Sequence, residues 1–225
     1  MARKSAREQI VAALLDRSGR TYCSELGIDI QKNTPSPLFR WLCASILFST
    51  RISAKLALMA AKALSDQGWT TPRRMAEATW ADRTRVLNHA GYARYDESTS
   101  RMLGDTAHLL LSKYGGDLRA LRGLARNDPA TERQLLKEFK GIGDVGADIF
   151  CREVQVAWPE LYPYADTKAL AAAVQLGLGN DARALAGLVD RRDFPRLLAA
   201  LIRTSLGKDY EGVIEAALAR PTAGV

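Results

Sequence analysis

Apolar residues return every three or four positions along most of this chain, and no window shows the β-branched alternation between turn signals that a strand requires. The pattern predicts an all-α fold. Residues 5–18 place Ile10, Val11, Leu14 and Leu15 on one face, and Gly19 then supplies a stop. Ser24–Pro37 reads as irregular, because Asn33-Thr34-Pro35-Ser36-Pro37 cannot continue a helix. Leu38–Phe48 is dense enough in apolar side chains to predict a helix buried on most sides. Further helices are expected over about Ile52–Gln67, near Met75–Ala78 after a capped start at Thr71-Pro72, and over Asp82–Ala90, Glu97–Tyr114, Leu118–Leu124 and Thr131–Phe139. The last third repeats the pattern near Val145–Val156, Thr167–Leu176, Asp181–Val189, Asp193–Ser205 and Gly212–Ala219. Many short helices with short connections predict a compact globule and not a long bundle.

Charge adds a direction to this picture. The 225 residues carry 32 Lys and Arg against 25 Asp and Glu, a formal charge of +7, which favours an anionic partner such as nucleic acid. No apolar run is long enough to span a bilayer, and the basic start Met1-Ala-Arg-Lys is not followed by a signal-peptide core, so a cytosolic protein without a membrane partner is expected. Cys23, Cys43 and Cys151 lie too far apart for the short spacing of a zinc site or an iron–sulfur cluster, which points to reduced thiols in the core. A chain of this length fits one domain or two small ones sharing a cleft.

The most informative stretch is Leu135–Phe150, a helix closed by Gly141-Ile-Gly143 and a second helix opened at once. Two glycines two apart permit positive φ and a close backbone approach to another surface. The second helix presents unpaired N–H groups and its positive dipole end to an anion, and a DNA phosphate fits that description. An ordinary helical corner with a glycine cap fits the local pattern equally well.

Residues on either side of the hairpin separate these alternatives. Phe139-Lys-Gly-Ile-Gly-Asp-Val-Gly-Ala147 is succeeded by Trp158-Pro159 and then by Tyr164-Ala-Asp-Thr-Lys168. Upstream stand Ser45-Ile-Leu-Phe-Ser-Thr-Arg51 and Ala90-Gly-Tyr92. In this order the chain resembles the helix-hairpin-helix DNA glycosylase superfamily, of the endonuclease III type, over about residues 38–175.

The resemblance implies two helical lobes with the active site in the cleft between them, one of residues 34–157 and the other of residues 1–33 with 158–225. It implies that Asp166 is the catalytic carboxylate, although an aspartate at a helix mouth is equally an N-cap. Contacts to DNA would come from the hairpin residues Lys140, Gly141, Ile142, Gly143, Asp144, Val145 and Gly146, and from Arg51, Arg94 and Lys168. Arg51 would enter the space left by a flipped base, and Tyr92 would wedge the opposite strand, or instead pack on its own domain. Candidate aromatics for the base pocket are Trp41, Phe48 and Tyr164. The carbonyls of Lys137, Phe139 and Ile142 match positions that hold a monovalent cation in the family's hairpins. His108 falls inside a helix and is expected to be structural, and His89 lies just before the Gly91-Tyr92 turn.

Two departures qualify the resemblance. Where bifunctional relatives carry a nucleophilic lysine this chain has Val145, which implies a monofunctional enzyme that uses water, unless Lys140 or Lys168 substitutes as the amine. The four-cysteine cluster of many relatives is also missing, so no iron–sulfur cluster is expected and contacts there would fall to residues such as Arg191, Arg192 or Lys208. The implied activity is removal of a damaged or mispaired base from duplex DNA by a nucleoid-associated monomer. A non-catalytic DNA-structure-binding protein with the same fold is the rival reading.

Overall fold

The computed structural model describes residues 5–219. These described residues form helices joined by turns, and the fold is all-α. In chain order the helices are α1 (Ala6–Ser18), α2 (Tyr22–Glu25), α3 (Pro35–Ser49), α4 (Ala54–Asp66), α5 (Pro72–Glu77), α6 (Trp80–His89) and α7 (Asp96–Tyr114). Then come α8 (Arg119–Leu124), α9 (Pro129–Leu136), α10 (Asp144–Val154), α11 (Thr167–Gln175), α12 (Ala182–Ala186), α13 (Phe194–Gly207) and α14 (Tyr210–Leu218). Short 3₁₀ turns occupy Ile30–Lys32 and Pro159–Leu161. No helix among them is long and apolar enough to cross a membrane.

Local chemistry sets many of the boundaries. Ser5 and Glu8 form a reciprocal capping box at α1, and Thr79 and Asp128 cap α6 and α9 through their side chains. The segment around Pro35 departs from the expected irregular stretch. Thr34 is the N-cap there, and α3 begins on Pro35 itself with Pro37 in its first turn. Proline is tolerated at those positions because the first turn's N–H groups have no intrahelical acceptor to lose.

Cys23–Leu161 forms one compact unit, and the described residues up to Tyr22 form another with those from Tyr162 onward. Residues 23–33 and 158–161 therefore group with the central segment rather than with the termini. In the central unit α3 is the core. Leu38, Phe39, Trp41, Leu42, Ala44, Ile46 and Leu47 are all fully buried, covered by α4, α7 and α10. In the other unit α13 plays the same part, packed against α1, α11 and α14 around Leu14, Phe194, Leu198, Leu201 and Val213.

Cys23, Cys43 and Cys151 are free and buried, and burial pushes each thiol up, that of Cys151 to about 12. Among the described residues no group of three or more His, Cys, Asp or Glu is placed to hold a metal.

Two buried polar clusters lock the central unit. Arg83 donates Nε to the Ser100 carbonyl (3.0 Å) and Nη1 to the carbonyls of Met75 (2.9 Å) and Ala78, joining α5, α6 and α7. Its guanidinium lies against Gly104, where a Cβ would stand 2.6 Å from Nη2. In the second cluster Arg122 grips Glu160 with two parallel bonds and stacks over Trp158, whose indole N–H donates to Asn33 Oδ1.

Glu132 stands beside that pair, its side chain 0% exposed and its Oε1 4.0 Å from Arg122 Nε. Burial, followed by the adjacent Glu160 carboxylate, pushes the Glu132 carboxyl up to about 8 from an ordinary value near 4.5. The folded chain therefore holds a proton that the unfolded chain releases between those two values. Its contribution to stability is fully present below about pH 4.5 and is lost progressively as pH rises to about 8. Glu132→Gln, a neutral side chain of the same shape, removes that dependence. Thermal melts at pH 5 to 9 should show the wild type losing stability across this range relative to the variant, by at least about 3 °C at pH 9. Parallel curves for the two proteins would show that Glu132 is charged throughout.

Candidate functional site

Helices α9 and α10 make a tight hairpin, and Gly141 is the residue that seats it. Its φ of +88° is left-handed, and a Cβ there would stand 2.8 Å from Met102 Sδ and 3.0 Å from Ile46 Cγ2. The turn therefore rests directly on α3 and α7. Ser49 Oγ reaches the Gly141 carbonyl (3.3 Å), and Thr106 Oγ1 donates to the Lys140 carbonyl (3.4 Å). Trp41 Nε1 donates to the Phe150 carbonyl (3.1 Å), tying α3 to α10 below the turn.

The hairpin residues divide by side. Lys140, Gly143, Asp144 and Val145 are exposed, and a Cβ at Gly143 would meet nothing. Gly143 caps α10 with no side-chain bond, which leaves its backbone accessible. Ile142 and Gly146 are buried inside the hairpin, so the DNA contacts expected of them are corrected to packing: Ile142 fills the space that Gly146 leaves open beneath the turn.

Three segments meet at the C-terminal end of α3. The hairpin turn reaches it through Ser49, and the 90–95 turn reaches it through Tyr92, whose hydroxyl contacts Thr50 Oγ1 and the Leu47 carbonyl (3.0 Å). Arg51 follows the C-cap Thr50 in the chain, and Arg51, Arg94 and Lys140, one from each segment, are all exposed.

Tyr92 is 0% exposed, which corrects its expected role as a wedge. The ring is core, burial pushes its hydroxyl up, and its work is to fasten the turn to α3. The aromatic ring nearer the surface of that turn is Tyr95, half-buried under the Arg94 guanidinium at 5.4 Å. Trp41 is likewise corrected from pocket aromatic to core, since it is fully buried and its N–H is spent on Phe150. Phe48 and Tyr164 are half-buried.

The structure adds a feature that sequence spacing did not suggest. Asp144, exposed in the first turn of α10, accepts Lys137 Nζ (2.8 Å) and Arg133 Nη2 (3.2 Å), and Arg133 also pairs with Asp148 (2.5 Å). Lys137 holds the Asp144 carboxyl below the usual range. The hairpin thus brings its own carboxylate to the positive end of α10.

Asp166 belongs to the other unit. It is the N-cap of α11, and its Oδ1 accepts the N–H groups of Lys168 (2.9 Å) and Ala169 (3.1 Å) while the residue is 6% exposed. Two main-chain donors on one oxygen fix the orientation of the carboxylate at the mouth of α11. Lys168 is exposed on the first turn of the same helix.

The seat of the hairpin gives a direct test. Gly141→Ala forces a side chain into a left-handed position and against Met102 and Ile46, which should cost about 1–3 kcal/mol. Gly143→Ala, with φ −91° and open space around the Cβ, should stay within about 0.5 kcal/mol of wild type. Urea midpoints at unchanged slope measure both, and equal losses at the two positions would contradict the seat.

No protein-family model matches the chain, and no curated protein sequence does. Among solved structures, the chain is similar to a trapped covalent intermediate of endonuclease III with DNA, an estranged-adenine complex, at 18% identity over 88% of this chain and 85% of that chain, with a TM-score of 0.49.

Proposed function

We propose that this protein is a DNA glycosylase that hydrolyses the N-glycosidic bond of a damaged or mispaired base and leaves the abasic strand uncut. The observation that carries the reading is the buried Asp166 carboxylate, held by two backbone N–H groups in a chain that also displays Arg51, Arg94, Lys140 and an open glycine hairpin. Those cations and the exposed N–H groups at Gly143 suit the phosphates of a duplex, and such contacts set register without reading sequence.

Cleavage of the glycosidic bond builds oxocarbenium character on the sugar. A carboxylate fixed nearby stabilises that charge and orients or deprotonates the attacking water. The base leaves with the bonding pair, and water supplies the new oxygen on the sugar. The position at which the resemblance would place a nucleophilic amine is Val145, 58% exposed and without a nucleophile, and the proposal assigns the attack to water. A monovalent cation on the carbonyls of Lys137, Phe139 and Ile142 belongs to the same proposal. The Phe139 carbonyl accepts one bond, from the Ile142 N–H (2.9 Å), and its second lone pair is the hard oxygen donor such an ion takes.

Asp166→Asn separates catalysis from capping, because asparagine caps a helix about as well as aspartate but carries no charge. Melting temperature and duplex affinity should stay near wild type, while base release on a panel of single-lesion and single-mismatch duplexes falls at least about a hundredfold. Release at the wild-type rate would mean that Asp166 is a cap and nothing more.

Borohydride distinguishes water from an amine as the nucleophile. The wild type with its substrate and borohydride should give no crosslinked band, and strand breaks should appear only after alkali or heat. A strong crosslink abolished by Lys140→Ala or Lys168→Ala would establish the lyase reading instead.

A further inference from the structure

A cavity of about 320 Å³ opens on the central unit between α6 and the first residue of α7, and neither the hairpin nor Asp166 lines it. Trp80, Thr84 and Asn88 line it from one stripe of α6, since residues four apart share a helix face, and Arg85 and His89 line it from the adjacent stripe. Asp96 completes the lining from α7.

Two features are unusual for a bland surface dent. The first is Trp80, an indole left 40% exposed on a solvent-facing helix. Its N–H donates to the Glu97 carbonyl (3.2 Å), which fixes the plane of the ring, and Arg101 lies over it at 5.4 Å from outside the cavity lining. A fixed, accessible aromatic face is a stacking platform for a flat base.

The second is Asp96, a carboxylate 9% exposed whose orientation is set from both sides. Oδ1 accepts the Glu97 N–H (2.7 Å), and Oδ2 accepts Asn88 Nδ2 (2.8 Å). Each oxygen keeps a second lone pair, so the group is an oriented, acceptor-only fork.

An acceptor-only fork selects among bases. Guanine offers two adjacent donors, N1–H and the N2 amino group, which meet both oxygens together. Adenine and cytosine set their single amino group beside a ring acceptor, and thymine flanks its one N–H with carbonyls, so each places a lone pair against the carboxylate. The exposed Arg85 guanidinium stands at the same cavity for a phosphate, already shared with Asp82, and the exposed His89 imidazole lies beside it as a hydrogen-bonding group.

We infer that the cavity formed by Trp80, Asn88 and Asp96 is a binding site for an unpaired guanine nucleotide, with the base stacked on Trp80 and its N1–H and N2 amino edge on Asp96. The site is separate from the proposed glycosylase reaction. Free and strand-borne guanine share this chemistry, and the test uses both.

Calorimetric titration of the whole protein with dGMP, dAMP, dCMP and dTMP should show dGMP bound at least about tenfold tighter than the others. Trp80→Ala should weaken dGMP about tenfold, and Trp80→Phe, which keeps an aromatic face, should stay within about threefold of wild type. Asp96→Asn, with one acceptor replaced by a donor, should erase the preference for guanine while leaving weak binding of every base. A thymidine pentanucleotide with a central guanine binding tighter than dGMP assigns the site to an unpaired base in a strand, and the reverse order assigns it to a free nucleotide. No binding of either ligand, equal affinities for the four nucleotides, or a Trp80→Ala variant that binds like wild type would overturn the inference. The titrations contain no duplex and no lesion, so their failure leaves the glycosylase reading to its own tests.

Discussion

The close approach of the hairpin turn to α3 is the constraint on which the central unit depends. A helix with apolar residues on every side has to be surrounded, and α4, α7 and α10 supply the cover. Close cover requires a position without a side chain where the turn crosses α3, and Gly141 is that position, 3.0 Å from Ile46 Cγ2 measured from the Cβ it lacks. This contact dictates the presentation of Gly143 and Lys140 at the surface, because the turn cannot rotate without lifting off Ile46. The 90–95 turn is fastened at the same end of α3 by the buried Tyr92 hydroxyl. A basic rim built from three distant segments is thereby held on one rigid helix.

That rim is less positive than a count of lysines and arginines suggests. Asp144 and Asp148 occupy Lys137 and Arg133 inside the hairpin, which leaves Lys140 as the hairpin cation facing outward. An anion approaching α10 meets bare N–H groups at Gly143 together with an exposed carboxylate one residue later. Attraction by the helix end and repulsion by Asp144 act within one turn of each other, so the field at this turn is not described by net charge alone.

Buried charge does structural work elsewhere. Arg83 replaces water with three carbonyls and joins three helices, and Arg122 holds the segment around Trp158 and Glu160 against α8. Glu132 shares that second cluster with Glu160, and a single guanidinium between two carboxyl groups favours one of them remaining protonated. Arrangements of this kind specify a unique packing, because any slip leaves a buried charge without its partner.

Helix identity and order were legible in the sequence alone except for the short α2, since caps and three-to-four-residue periodicity act within a few residues of chain and a four-residue helix is too short to show a period. Thr71 and Asp166 cap the helices that their local context announces, and Gly141 takes the positive φ that its motif requires, whereas the caps at Thr79 and Asp128 start α6 and α9 two residues ahead of the expected Asp82 and Thr131. Pro35 and Pro37 misled because a proline is read the same way before a helix and inside its first turn, and only the cap at Thr34 distinguishes the two. Burial was decided by the tertiary structure. Tyr92 and Trp41 look like exposed aromatics of a turn and a pocket until α3 closes over one and α10 over the other, and the pairing of Asp144 with Lys137 and Arg133 exists only once α9 and α10 are folded together. Which side a residue faces depends on what distant segments pack against it, and that information is spread over contacts no local pattern contains.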